Sequence, residues 1–102
     1  MTDTFEHEVF SKYLNTTFRI SLGESNTLEA ELVSVGEHLL SPQQERFALV
    51  FRGPVQPLLP QAIYRFEHDE MGKFSLFIVP LRQDEAGTYY EACFNRVRKR
   101  DQ

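Results

Sequence analysis

The chain has 102 residues, a formal net charge of −4, one cysteine and no tryptophan. Hydrophobic residues make up 41% and charged residues 25% of the sequence, which is the composition of a globular domain. This length supports one domain, because two halves would each lack a core. No stretch approaches the ~18 consecutive apolar residues of a membrane-spanning helix, and the single Cys93 excludes an internal disulfide. The acidic start MTDTFEHEVF is unlike a secretory signal, so we expect a cytoplasmic protein without membrane attachment.

A short amphipathic helix is predicted at the start of the chain, over residues 3–14. Its apolar side chains fall on one stripe, which consists of Phe5, Val9, Phe10, Tyr13 and Leu14. We expect this helix to lie across one opening of a sheet or barrel.

From residue 17 onward the hydrophobic period changes from 3.6 to 2, which indicates strands. Six strands are predicted, over residues 17–22, 27–32, 46–52, 62–68, 73–81 and 88–95. The polar stretch 37–45 is predicted to be a loop.

Two of the predicted strands have irregular patterns. The phase of the alternation slips between Leu32 and Val33, which predicts a β-bulge or a change of face. In the fifth strand Phe77 and Val79 lie on the face opposite Phe74. This pattern predicts a central strand that is covered on both faces.

The fold class is therefore mainly β, a six-stranded antiparallel sheet with a short N-terminal helix. The strand pattern leaves a small barrel and a two-layer sandwich open. We expect residues 1–95 to form a single β domain and most of the aromatic side chains to form its core.

The connection 54–61 is a candidate interaction segment, because its prolines prevent a regular ladder and leave little entropy to lose on binding. Its candidate contact residues are Pro54, Val55, Pro57, Leu58, Leu59 and Pro60. The alternative is that these side chains close an open end of the barrel.

The basic end of the chain, residues 96–102, is predicted to be a flexible tail. It has four basic residues and one acidic residue, net +3, whereas residues 1–95 have seven basic and fourteen acidic residues, net −7. The candidate tail contacts are Arg96, Arg98, Lys99 and Arg100. A solvated tail, a contact to an acidic protein and a contact to nucleic acid are the three interpretations. Nucleic acid is disfavoured, because the rest of the chain is acidic.

A barrel of this kind can also hold a small ligand in its mouth. Tyr64, His68 and Tyr90 are the candidate residues of such a mouth. For His68 the alternative is a structural one, in which a buried hydrogen bond anchors the end of the fourth strand.

No pattern in the sequence predicts catalysis, a metal or another cofactor. Cys93 has no histidine beside it in sequence to lower its pKa, and we expect it to be inert. His7, His38 and His68 are about 30 residues apart and lack the spacing of a metal site. We expect that the protein is not an enzyme.

Four sequence blocks resemble a family of small bacterial β domains of unknown function. The blocks are FRGP at 51–54, LPQxxYxxEH at 59–68, FxxFIVP at 74–80 and YEAxFN at 90–95. The resemblance extends to the helix that ends near Leu14, and so covers nearly the whole chain. The chain departs from the pattern at Ala62, where the family would have glycine.

The resemblance implies a compact β domain with no assigned reaction, of a kind that accompanies phage-tail-like proteins. We therefore expect a non-catalytic structural or interaction domain, with a protein partner or a second copy of itself. The alternative function is a small-ligand-binding barrel.

Overall fold

The computed structural model describes residues 7–23 and 25–97, with the backbone alone at 96 and 97. It contains one helix and seven strands: α1 His7–Lys12, β1 Thr17–Gly23, β2 Asn26–Val35, β3 Leu39–Leu40, β4 Gln44–Gly53, β5 Ala62–His68, β6 Gly72–Asp84 and β7 Gly87–Val97. Of the helix predicted over 3–14, residues 3–6 and hence Phe5 lie outside the described residues. Within the described ranges, no helix has the length and hydropathy of a membrane span.

Six of the strands form a closed barrel. The strand order is β2-β1-β5-β6-β7-β4-β3, and β2 also pairs with β4, which closes the circle. All pairings are antiparallel. Of the two architectures that the sequence left open, the chain therefore adopts the barrel, with β3 as an extra strand beside β4.

The inward residues of each strand form one apolar core, as the alternation predicted. Its buried members include Phe18, Ile20, Leu32, Leu49, Phe51, Phe66, Ile78 and Tyr90. Phe10 of α1 is fully buried and packs against Phe74 and Phe94, with ring centroids 6.0 and 5.5 Å away. The helix thus closes the end of the barrel at which β6 begins and β7 ends.

The predicted irregularity in β2 is confirmed. Its register against β4 shifts between Leu32 and Ser34, so that Leu32 pairs with Phe51 and Ser34 with Val50. The loop predicted over 37–45 needs a correction. Leu39–Leu40 forms the short strand β3, and β4 begins at Gln44 rather than at residue 46.

The prediction that the fifth predicted strand, β6, is covered on both faces is wrong. Phe77 is 49% exposed and Val79 is half-buried. The physical reason is the closure of the sheet, because a closed barrel buries its inner face and no second layer covers the outside. The outward apolar residues of β6 therefore meet solvent.

Two glycines with positive φ differ in what surrounds them. Gly72 (φ 87°) has no heavy atom within 4 Å of the position that a Cβ would take. A Cβ on Gly87 (φ 152°) would overlap the carbonyl oxygen of Gly53 and lie 3.1 Å from Cγ of Arg52. Only glycine therefore fits at position 87, because of the backbone φ and because β4 approaches closely.

We predict that Gly87→Ala destabilises the fold more than Gly72→Ala. Gly72→Ala costs roughly 1–2 kcal/mol, the penalty of a left-handed L-residue. Gly87→Ala costs at least about 3 kcal/mol, because strain and overpacking act together. Urea unfolding followed by circular dichroism measures both, and equal losses would contradict the role of the Gly53 contact.

Candidate functional site

Five exposed apolar side chains on β5, on β6 and in the connection before β5 are here called the apolar face. Its members, from 42% to 69% exposed, are Val55, Leu58, Ile63, Phe77 and Leu81. They come from the connection between β4 and β5 and from the outward positions of β5 and β6. Such a cluster is unusual on the surface of a monomeric protein.

Register and contacts bring members of the apolar face together in pairs and hold the connection against β6. Ile63 of β5 is the register partner of Phe77 of β6. Leu58 and Leu81 line the same shallow depression. The carbonyl of Val55 accepts a hydrogen bond of 2.7 Å from Nε2 of Gln83, which holds the connection against the end of β6.

The residues of the candidate interaction segment, 54–61, differ in burial. Leu59 is buried, and its N–H donates a 3.0 Å hydrogen bond to the hydroxyl of Tyr90, so that it closes the end of the barrel opposite α1. Val55 and Leu58 point to solvent, and Pro54, Pro57 and Pro60 are also exposed. The closing role therefore applies to Leu59, and for the exposed residues the interaction interpretation stays a prediction.

The three residues of the candidate ligand mouth are not all brought together. Tyr64 donates a 2.8 Å hydrogen bond to the carbonyl of Pro60, which places it beside Tyr90 at the Leu59 end. Burial, and then the neighbouring Tyr90, raises the pKa of the Tyr64 hydroxyl. His68 lies four residues further along β5, about 13 Å away, at the helix end.

His68 is instead the centre of a structural network. Its Nδ1 accepts hydrogen bonds from the N–H groups of Glu70 at 3.0 Å and Met71 at 3.3 Å. The proton is therefore assigned to Nε2, which donates to Oγ1 of Thr16 at 3.0 Å. The Thr16 hydroxyl in turn donates to the carbonyl of Tyr13 at 2.6 Å. His68 thus joins β5, its following turn and the residue before β1, as the structural alternative predicted.

A second surface feature is a groove of about 350 Å³ along the outside of β4 and β7. Its floor contains the register pair Ala48 and Cys93, whose side chains are small. One wall is the chain between β2 and β3, where Gly36 donates a 2.8 Å hydrogen bond to the Ala48 carbonyl. Leu39 and Arg46 line its further end.

The Cys93 thiol is exposed on the floor of this groove and is not activated. Burial of the sulfur, and then the nearby carboxylate of Glu91, raises the pKa of the thiol. A catalytic cysteine needs the opposite shift. The inertness of this thiol stays a prediction, and the direction of the pKa shift provides its test.

Two of the three histidines lie together beside the groove. The rings of His7 and His38 stack with centroids 4.6 Å apart, and both pack edge-on against Phe47. Each histidine has a hydrogen-bond partner: Nε2 of His7 bonds to the carbonyl of Gly36, and Nε2 of His38 bonds to Glu45. No group of side chains among the described residues has the composition and spacing to hold a metal ion.

Of the candidate tail contacts, only the backbone of Arg96 is described. It pairs with Glu45 of β4, and the next residue, Val97, pairs with Gln44. Arg98, Lys99 and Arg100 lie outside the described residues.

The groove and most of the apolar face were missed by sequence reasoning. Gly36, Ala48 and Cys93 come from three separate segments, and no sequence signal indicates that they meet. Ile63 did carry a signal, because its parity is opposite to that of the inward Tyr64. An apolar residue on the outer parity of a barrel strand indicates a surface contact.

The comparisons with known proteins assign no reaction to this chain. A family described as "Domain of unknown function (DUF6916)" matches residues 5–94. The chain belongs to this family. The resemblance to a small domain family of unknown function is thereby confirmed. No curated protein and no solved structure matches the DUF6916 chain significantly.

We predict that His68→Phe destabilises the domain by about 1–3 kcal/mol, although the new ring can still pack against Phe18. The loss comes from the unpaired N–H groups of Glu70 and Met71. Chemical denaturation of His68→Phe, Thr16→Val and the double variant gives the coupling free energy between the two side chains. If the double variant loses as much stability as the two single variants added together, the result contradicts a direct His68–Thr16 bond.

We predict that Cys93 reacts with iodoacetamide more slowly at pH 8 than the cysteine of an unstructured peptide. The raised thiol pKa leaves less thiolate at any given pH, so the rate profile moves to higher pH. Because the chain has one cysteine, intact mass spectrometry follows a single adduct. A profile displaced to lower pH would overturn the assignment of an inert thiol.

Proposed function

We propose that this DUF6916 domain is a non-catalytic structural or protein-interaction domain, and that the apolar face is its contact surface. It is an accessory to a larger assembly of the phage-tail type that the family resemblance suggested. The observation that carries the proposal is the apolar face, with five large apolar side chains that are exposed. Folding alone gives no reason for these side chains to be apolar, because they point away from the core.

The surroundings of the apolar face support a protein contact. Exposed arginines, Arg65 and Arg82, lie close in sequence to its members on β5 and β6, and at protein interfaces an apolar centre is enclosed by a polar rim. Arg65, on the same outer face of β5 as Ile63, has no ion-pair partner among the described residues. Arg82 lies over the ring of Tyr89 at 4.0 Å. Arginine and aromatic side chains are enriched at such interfaces.

The alternative function, binding of a small ligand inside the barrel, has less support. Tyr90, Phe18 and Phe51 are fully buried and occupy the interior. The hydroxyl groups of Tyr64 and Tyr90 already serve to hold the 54–61 connection. Nucleic-acid binding by the tail is disfavoured by the net charge of −7 over residues 1–95.

We predict that the double variant Ile63→Ser, Phe77→Ser loses the partner while the fold is kept. Both side chains point outward, so the unfolding midpoint stays close to that of the original chain. Loss of two central interface anchors weakens binding by roughly tenfold or more. Quantitative affinity capture from the host lysate measures this loss.

The matched control is Leu14→Ser, which removes an apolar side chain that is 38% exposed and lies off the apolar face. Sedimentation velocity of the purified variants separates a homo-oligomer from a heterologous complex. If the serine double variant and Leu14→Ser capture the same proteins in the same amounts, the apolar face is not the contact surface.

A further inference from the structure

One edge of β5 has no partner strand over half of its length. On one side β5 pairs with β6 along its whole length, but on the other it pairs with β1 at Phe66 and Glu67 alone. Strand β1 continues to Gly23 in its ladder with β2, so the β1–β5 ladder stops although both strands go on. Within residues 7–23 and 25–97, no strand pairs with residues 62–65 on the side of β1. This edge is here called the β5 edge.

A bulge in β1 explains why the two strands separate. The register of β1 against β2 shifts between Ser21 and Gly23, and Gly23 has a φ of 130°. A bulge bends its strand and increases the local twist, so β1 turns away from β5 at this point. The β5 edge is therefore left open by the local geometry of β1 and not by a break in β5.

The β5 edge offers backbone groups that an extended chain can bind. Along a strand, the N–H and C=O groups of successive residues point to alternate sides, so two of residues 62–65 direct both groups towards the open side. A row of this kind is a template for the addition of a strand from another chain. The first three of these residues, Ala62, Ile63 and Tyr64, include none of the prolines and charged side chains that protect natural sheet edges.

Two outward side chains on the β5 edge indicate what the added strand carries. Ile63 is 69% exposed and belongs to the apolar face. Arg65 lies on the same outer face, is exposed, and has no ion pair in the part of the chain that the structure describes. Its register partner on β6 is the uncharged Ser75, and the next outward residue, Glu67, already pairs with Arg19 at 3.5 Å. An apolar residue opposite Ile63 and an acidic residue opposite Arg65 therefore complement this surface.

A second copy of the chain does not supply this complement. In antiparallel pairing of two β5 edges about a two-fold axis, Arg65 lies opposite Gln61, Ile63 or a second Arg65, according to the register. None of these residues is acidic. The register that brings Glu67 opposite Arg65 is centred on Phe66, whose edge is already paired with β1. The acidic residue must therefore come from a different protein.

We propose that the β5 edge binds an extended segment of a partner protein as an additional antiparallel strand, with an acidic residue opposite Arg65 and an apolar residue opposite Ile63. Backbone pairing supplies the affinity, and the two side chains fix the register. This inference rests on the proposed function, because Ile63 belongs to both surfaces, and it states how the partner is bound.

The test uses the full-length protein and the synthetic peptide acetyl-Ser-Glu-Thr-Val-Thr-Ser-amide, and NMR measures both Kd and amide hydrogen exchange. At a peptide concentration of about ten times Kd, we expect exchange to slow roughly tenfold at two alternate residues of 62–65. Two further peptides are N-methylated at alternate positions, one at Glu and Val and the other at the two Thr residues. We expect one of these two peptides to lose binding and the other to keep it, because alternate N–H groups point away from β5.

A charge exchange tests the register. Arg65→Glu weakens binding of the peptide by roughly three- to tenfold, and a peptide with lysine in place of glutamate restores it. The matched control is Arg46→Glu, which changes the net charge equally at an exposed position of β4 and leaves binding unchanged. Circular dichroism and the urea midpoint show that each variant is folded.

Three results would overturn the proposal: unchanged exchange at residues 62–65, equal binding of the two N-methylated peptides, and equal binding of the glutamate peptide by Arg65→Glu. Protection of these amides that rises with protein concentration without peptide would also overturn it, because the edge would then belong to a second copy. The outcome is separate from that of the proposed function. If strand addition fails while the Ile63→Ser, Phe77→Ser variant still loses its partner, the apolar face is the contact surface without an added strand.

Discussion

The pairing of β1 with β5, the shortest ladder within the closed barrel, is the constraint on which the rest of the structure depends. The other strands of the circle are joined by four or more register pairs, but β1 and β5 share two, Arg19 with Glu67 and Ile20 with Phe66. Side chains supplement this short ladder. Arg19 reaches Asp69 at 3.0 Å and Glu67 at 3.5 Å.

The hydrogen bond between Thr16 and His68 also supports the pairing of β1 with β5. This bond is half-buried. Because the Thr16 hydroxyl donates its proton to the Tyr13 carbonyl, its oxygen accepts the hydrogen bond from Nε2 of His68. The same histidine orders the turn into β6. One imidazole therefore fixes the closure of the sheet, the position of the helix C-terminus and the start of the next hairpin.

Closure also explains which parts of the fold sequence reasoning could predict. Alternation along each strand reports the inner face correctly, so residues such as Phe18 and Phe51 were placed in the core from their parity. It cannot report whether an outer face is covered, because that depends on the global arrangement of the strands. Phe77 was therefore assigned to a second buried face, when closure leaves it in solvent.

For the candidate sites too, the sequence indicates which face of a strand a residue lies on but not which residues of other strands it meets. The outward parity of Ile63 and Phe77 could be read from the sequence, but their mutual contact needed the β5–β6 register. The groove was harder to predict, because it depends on small residues in separate segments and on the register that joins Ala48 to Cys93. Absence of side-chain volume produces no periodic signal, so a groove of this kind becomes visible only after the strands are paired.

The apolar face and the groove lie on different parts of one small barrel. The apolar face uses β5, β6 and the connection that closes one end, whereas the groove uses β4, β7 and the chain before β3. These elements are held by different ladders, and β4 with β7 forms the longest of them. A partner that covers the apolar face, as we propose, therefore leaves the outer side of β4 and β7 uncovered.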